Sequence, residues 1–600
     1  MLLTLSCVHL WAQETPQSDQ PEITVVVTAE RTAQPVSESI SSATVVTAKQ
    51  IREQGAQTVG DALRLVPGVT ISQNGQTGSL AIAHLRGTSL SQVLVLVDGQ
   101  RVSSSAFGGS ADLSKFPLAD VARIEVIRGP VSSLYGSDAI GGVINIITRQ
   151  PTRRAGEVKL GFGDFSRQER SMYFSSGQGP VAWQLNAQFP VFSGARLNSD
   201  YSAANLSARV MMPSVKGWEL SLRGEDYHDS LGLPGSTTWV SPNDRQWWDR
   251  SGFDIAAKRD IGPGQLELHG YSIDQELREI NPDFLTNSHI MGTTRASEAT
   301  YRVDRGSGHW VFGGEYRSEG YKDVEGGSVL QDKDISNRAL FVQNRIDLSK
   351  TTDVLVGVRM DDHSTAGSKV SPRLGINHAV SGKTRVRASY AEGFHAPTLV
   401  DLYYNNFGTI GNPNLKPEKS RQYELGMNTQ IGDDSIDLAV FTNSVVDQII
   451  WLPQPPSPGN PFPGTFMNVD QARQRGIELS WDHRIGSSTR LGFFYTYIDA
   501  RNLTMGSRLP GIPHRQIGLT LSGKMRSWST ALAGRWTDDR PYNTGIVAGR
   551  AVFDLTLTRQ SEAPSNPYVV IRNLTNVSYE EAQGYPADRR SIEVGMRSAW

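Results

Sequence analysis

The sequence predicts a transmembrane β-barrel of about 22 antiparallel strands, plugged by an N-terminal mixed α/β domain. Three observations predict it. The chain changes grammar near residue 150, from short apolar runs to period-two alternation that continues to the last residue. The alternating part, roughly 450 residues, is far larger than one soluble sandwich. It also ends on an aromatic, Trp600, as a strand that closes a barrel and leaves no free edge would.

From about Glu22 to about Gln150 the chain reads as a compact α/β domain. Val93-Leu94-Val95-Leu96-Val97 and Ile124-Glu125-Val126-Ile127 read as short buried strands. Val59–Leu65 reads as a short helix stopped at Pro67-Gly68, and Asp98-Gly99 as a turn directly after a strand. Beyond Pro151, Val354, Val356, Val358 and Met360 alternate with Leu355, Gly357, Arg359 and Asp361. Tyr423, Leu425 and Met427 alternate with Gln422, Glu424 and Gly426; Ile477, Leu479 and Trp481 alternate with Glu478, Ser480 and Asp482. Each strand has one apolar and one mainly polar face. Crossing the hydrocarbon takes about 9–11 tilted residues. At roughly 20 residues per strand and connection, some 22 strands fit, the size of plugged transporters. Trp247-Trp248 and Tyr403-Tyr404, near segment ends, suit interfacial girdles.

Composition sets outer limits. The formal charge of −2 argues against nucleic acid as a partner. One cysteine, Cys7, rules out an internal disulfide. Residues 1–12 read as a truncated secretory signal cleaved near Ala12; lipidation of Cys7 is the rival, but Thr4 stands where a lipobox carries Leu. There is no HExxH and no Walker-type GxxxxGK, and no enzyme is expected.

Several segments resemble TonB-dependent outer-membrane receptors. Thr24-Val25-Val26-Val27-Thr28-Ala29, within residues 22–29, is similar to a TonB box. Leu63–Val69, Leu85-Arg86-Gly87, Val97-Asp98-Gly99, Ile124–Pro130 and Leu134–Ile146 follow in family order, and Gly411–Glu418 resembles the family's "NPxLxPE" segment. The resemblance implies a plug over residues 35–150, a barrel over 151–600, and a bacterial outer-membrane location. It also implies active import of a bulky, scarce nutrient, energised by TonB with ExbB/ExbD, by a protein expected to be a monomer surrounded by outer-membrane lipid.

Within the family, Gln73-Asn74-Gly75, Leu85–Thr88, Ser110–Pro117 and Gly584-Tyr585 most resemble the cobalamin (vitamin B12) transporters. That implies a corrinoid ligand contacting Leu80, Ile82, Ser89, Phe107 and Gly108. It also implies that Arg86 and Arg128 face Glu424 and Glu478; alternation independently puts both glutamates on the polar face. Cofactors are expected to be none. Calcium in extracellular loops is disfavoured, because Asn198–Tyr201 keeps one carboxylate, Asp200, with Asp226 and Asp229 on the next hairpin as the only reinforcement. A siderophore or haem receptor, a passive porin-like channel and an adhesin remain the alternatives.

Overall fold

A chain that alternates apolar and polar residues buries one face, and in this protein the buried face is the polar one. The computed structural model describes residues 25–26, 28–151, 154–177, 179–406, 408–455, 463–542, 545–560 and 564–600. The signal read over residues 1–12 lies outside them. Along Thr352–His363, Leu355, Gly357, Arg359 and Asp361 are buried, while Val356, Val358 and Met360 are exposed. Tyr423 and Leu425 are likewise exposed beside the buried Gln422 and Glu424. Water would make this costly; lipid around an occupied bore makes it favourable.

Twenty-two antiparallel strands form a closed barrel. It closes where Ala155–Gly163 pairs antiparallel with the last strand, Ser591–Ala599. Connections at 216–217, 262–263, 306–307, 350–351, 382–383 and 432–433 are two residues long, whereas 396–417 and 573–590 are long loops at the other end. Short turns mark the periplasmic side and long loops the extracellular side. The strands outrun the bilayer: Val240–Ile261 and Ser328–Ser349 are 22 residues each. The 9–11 residues expected from sequence count only the hydrocarbon crossing.

The girdle reading is corrected for one residue of each aromatic pair. Trp248 is buried and faces the lumen, its ring 4.6 Å from that of Phe107 in the plug. Tyr403 ends a helix, Leu399–Tyr403, in the 396–417 loop and packs against Ala106, Tyr321 and Ile335. Aromatics near a segment end can serve the plug as well as the interface, and the residue letter does not distinguish the two.

Inside the barrel, a five-stranded sheet runs in the order Ser42–Thr47, Val121–Arg128, Gly142–Thr148, Val93–Val97, Gln100–Arg101. Val93–Val97 pairs parallel to Gly142–Thr148 and is buried along its whole length, as its unbroken apolar run requires. Asp98 and Gly99, both at positive φ, form the two-residue turn into Gln100-Arg101. Helices Ala48–Glu53 and Val59–Leu63 each start with a capping box, on Thr47 and Gln50 and on Thr58 and Asp61. Gly142 sits at φ +139, where a Cβ would stand 2.0 Å from the Ile127 carbonyl oxygen. The second glycine of Gly141-Gly142 is thus a demand of the Val121–Arg128 pairing.

Candidate functional site

Three places on the plug carry functional expectations: a charged contact with the wall, the extracellular crest, and the N-terminal segment at the periplasmic end.

At the wall, Arg86 follows the hairpin formed by Val69–Gln73 and Ala81–Leu85, and Arg128 ends the strand Val121–Arg128. Glu424 and Glu478 come from the wall strands Glu418–Ile431 and Gly464–Ile485. The structure brings all four together. Arg86 donates through Nε and Nη2 to the two oxygens of Glu478 at 2.9 and 2.8 Å, and through Nη1 to Glu424 Oε2 at 2.6 Å. Arg128 Nε lies 3.1 Å from Glu478 Oε2. The four side chains are 2–3% exposed, so none leans on water. Burial opposes the Arg86 cation, but Glu424 and Glu478 outweigh it and hold the guanidinium above its usual range. Arg128 is shifted the other way: burial dominates, Glu478 offsets only part, and its acidity rises. Arg128 also donates through Nη1 to neutral oxygens, Thr44 Oγ1 at 2.7 Å and Pro67 O at 3.1 Å.

At the extracellular end, the residues matched to ligand contact lie on three adjacent crests. Leu80, 39% exposed, precedes the strand that carries the half-buried Ile82. Ser89 opens the turn Leu90–Gln92 and donates its amide to Gln92 Oε1 at 3.0 Å. Phe107 and Gly108 end the turn Ser105–Phe107, and a Cβ added to Gly108 would meet no atom within 4 Å. The crests touch where a Cβ on Gly109 would lie 3.3 Å from Ser91 Cβ. Phe107 is partly committed elsewhere, against Trp248 and the cluster of Ala106, Tyr321, Ile335 and Leu399.

At the opposite end, Val25–Val26 pairs antiparallel with Gln34–Pro35. Thr24 and Val27 lie outside the described residues. Thr28 and Ala29 are buried at 2% and 0% exposure. Thr28 donates through its amide and Oγ1 to Glu125 Oε2 at 2.8 and 2.6 Å, and its carbonyl accepts from Tyr135 Oη at 3.0 Å. The Ala29 carbonyl accepts from Arg373 Nη1 of the wall at 3.0 Å. The last two residues of the segment, Thr28 and Ala29, are thus held inside the structure.

Two family models cover almost all of this architecture. The TonB-dependent receptor plug domain matches residues 35–143, and the TonB-dependent receptor-like β-barrel matches residues 149–579. The chain belongs to the TonB-dependent receptor family. This receptor is accordingly an outer-membrane protein that takes a small-molecule ligand and works with TonB in transport. The chain is 31% identical over 568 residues to the vitamin B12 transporter BtuB of Photobacterium profundum, covering 90% of this chain and 87% of that one. Among solved structures it resembles the siderophore receptor PirA from Acinetobacter baumannii, with a TM-score of 0.79 and 17% identity over 93% of this chain and 98% of that one. It also resembles the siderophore receptor PiuA from the same organism, with a TM-score of 0.80 and 16% identity over 94% and 98%. At such identities the structural likeness concerns the fold.

The receptor's plug has further charged attachments that sequence reasoning missed. Asp138, in the Leu134–Ile146 segment, lies 2.6 Å from Arg101 Nη1 and 2.6 Å from His395 Nδ1 of the wall. His395 and Arg101 together hold the Asp138 carboxyl below its usual range despite burial. Asp98 binds Arg209 and accepts from Thr148 Oγ1 at 2.6 Å. Arg64 pairs with Glu581 in the 573–590 loop. Polar-face alternation could have flagged the wall partners Arg209 and His395 as lumenal, but nothing in the sequence says which plug residue each would meet.

The carboxylates weighed for calcium do not share a centre. Asp229 is fully buried against Lys115 Nζ at 2.6 Å, Asp200 meets Arg245 Nη1 at 2.6 Å, and Asp226 meets His228 Nε2 at 2.7 Å. Each already has a protein cation or imidazole of its own.

Proposed function

We propose that this receptor imports a corrinoid, cobalamin in particular. The carrying observation is the 31% identity to a vitamin B12 transporter across 90% of the chain, because it spans plug and barrel together. The crest of Leu80, Ile82, Ser89, Phe107 and Gly108 fits that reading: it mixes apolar and polar groups, as a large amphipathic ligand asks, and it is open at Gly108. In this reading the loops around Asp200 and Asp229 are ordered by Arg245 and Lys115 rather than by calcium.

TonB engages Thr24–Ala29 by adding it as a strand to the edge of its own sheet. For that to happen the hairpin with Gln34–Pro35 opens and Thr28 leaves Glu125. The ligand can drive this only through a different affinity for the two plug arrangements, and work delivered by TonB with ExbB/ExbD then remodels the plug. The receptor acts as a monomer.

Titration of the purified receptor with cyanocobalamin, read by quenching of intrinsic fluorescence, tests the ligand. Saturable binding at one site per chain is expected. No binding of cyanocobalamin alongside tight binding of a ferric siderophore would replace the corrinoid with the siderophore reading, which the fold likeness to PirA and PiuA keeps as the alternative.

A further inference from the structure

Four arginines converge where the plug meets the last third of the wall. Arg64 follows the plug helix Val59–Leu63, and Arg535 stands on the wall strand Trp528–Thr537. Arg540 opens the short strand Arg540–Tyr542, and Arg550 opens the next wall strand, Arg550–Arg559. With Gln516 and Thr537 they line a cavity of about 20 Å³ between plug and wall. Glu581, from the 573–590 loop, is the one carboxylate that lines it among the described residues.

The positive charge is not balanced. Arg64 pairs with Glu581 and, at 3.3 Å, with Asp61. Arg535 pairs with Asp554 at 3.0 Å, and Arg550 shares Glu581 at 3.4 Å. Four guanidiniums thus meet three carboxylates. Arg540 is the one left over: it is 2% exposed and forms no ion pair among the described residues. Its Nη1 donates to the carbonyl oxygens of Ile71 and Glu581 at 3.4 and 3.0 Å. Its Nε has no hydrogen-bond partner among the described residues, and neither has Nη1 of Arg550, itself 8% exposed. A guanidinium taken out of water without counter-charge is strongly disfavoured. A water molecule would satisfy the free donors and the unpartnered Gln516 Oε1 and Glu581 Oε2, but it leaves the fourth charge unbalanced.

We propose that a single halide ion, chloride, occupies this cavity and accepts hydrogen bonds from Arg540 Nε and Arg550 Nη1. Bonds from a cation to an anion are the strong ones, and the cavity gives them a dry setting. The space suits one water-sized occupant, which excludes phosphate and sulfate. The ion fastens the base of the hairpin that leads to the ligand crest. Arg540 donates to the Ile71 carbonyl, and Gln516 Nε2 donates to that of Val69 at 3.3 Å. Both carbonyls belong to Val69–Gln73, whose partner strand Ala81–Leu85 carries Ile82 directly behind Leu80. Without the ion, Arg540, Arg550 and Arg64 repel one another and the hairpin base loosens.

The test uses the intact receptor in detergent micelles. Hydrogen exchange at Val69–Gln73 is followed in sodium chloride, bromide, sulfate and gluconate at one ionic strength. Exchange in sulfate and gluconate should be about tenfold faster than in chloride, with bromide matching chloride, because an ion that binds only the closed hairpin lowers its opening constant. Exchange at the wall strand Thr352–His363 should be the same in all four salts. Arg540→Gln removes the excess charge and should make exchange at Val69–Gln73 indifferent to halide, with heat-modifiable gel migration verifying the barrel. Crystals of the parent grown in bromide should show an anomalous peak within hydrogen-bonding distance of Arg540 Nε and Arg550 Nη1, a result that needs no variant. Equal exchange in chloride and gluconate, a halide dependence that survives Arg540→Gln, or a water-filled cavity in the bromide crystals overturns the proposal. Sulfate acting as well as chloride also overturns it, since general screening would then account for the effect.

Discussion

The Arg86 guanidinium meets the Glu478 carboxylate edge to edge, Nε on Oε1 at 2.9 Å and Nη2 on Oε2 at 2.8 Å. The third nitrogen reaches Glu424 at 2.6 Å. One plug side chain thus ties together two wall strands that are not neighbours. The pairs are buried and well hydrogen-bonded, so their desolvation cost is offset only while every partner is present.

Removing one partner is therefore expected to be severe. Arg86→Ala leaves two carboxylates facing Arg128 and Arg387, and should lower the opening free energy of the plug by about 3–5 kcal/mol. Hydrogen exchange at Val93–Val97, the inner strand of the plug, reads this directly. Combined with Glu478→Ala, the loss should be smaller than the sum of the single losses, since the second change removes a carboxylate that has already lost its bidentate partner. Additive losses would mean that the two residues do not act on each other.

A second prediction concerns Gly142. Gly142→Ala drives a Cβ against the Ile127 carbonyl oxygen in a backbone region that disfavours side chains. Strain of about 1–3 kcal/mol, together with lost pairing to Arg128, should loosen the plug sheet while leaving the barrel intact. Planar-bilayer recordings should show open-channel events absent from the parent protein. A silent bilayer with normal plug exchange would contradict the packing argument.

The inverted burial of the wall makes a third. Val356→Arg puts a charge on the exposed apolar face and should cost about 2–4 kcal/mol of folding free energy in vesicles. Asp362→Arg, farther along the same face at the rim, should cost about 0–1 kcal/mol. Urea titration in lipid separates the two, and equal costs would place the membrane elsewhere on the barrel.

Coupling to TonB gives a fourth. Val26→Pro removes a main-chain donor from the segment that TonB is proposed to pair with. Ligand binding should stay within twofold of the parent while uptake falls to background. Uptake at parental rate would separate this segment from energy transfer.

How much of this was legible depended on the physical scale of each feature. The alternation around Val356 and Leu425 gave strand identity and opposite faces, but alternation is symmetric. Which face meets lipid had to come from the size of the alternating half, and the burial of Arg359 and Asp361 settles it. Glu424 and Glu478 were legible because polar-face position and family motif coincided on them. His395 and Lys115 were not, since each acquires its role from a partner more than a hundred residues away. Trp248 was misread for the same reason: a ring near a strand end looks interfacial until Phe107 is seen against it.

The most direct measurement is uptake of labelled cyanocobalamin by cells in which this receptor is the only outer-membrane route for it, with and without TonB. Saturable uptake that disappears when TonB is deleted, and again when the proton-motive force is collapsed, is the expected result. Undiminished uptake without TonB, or no uptake from cells that hold folded receptor, would contradict the account.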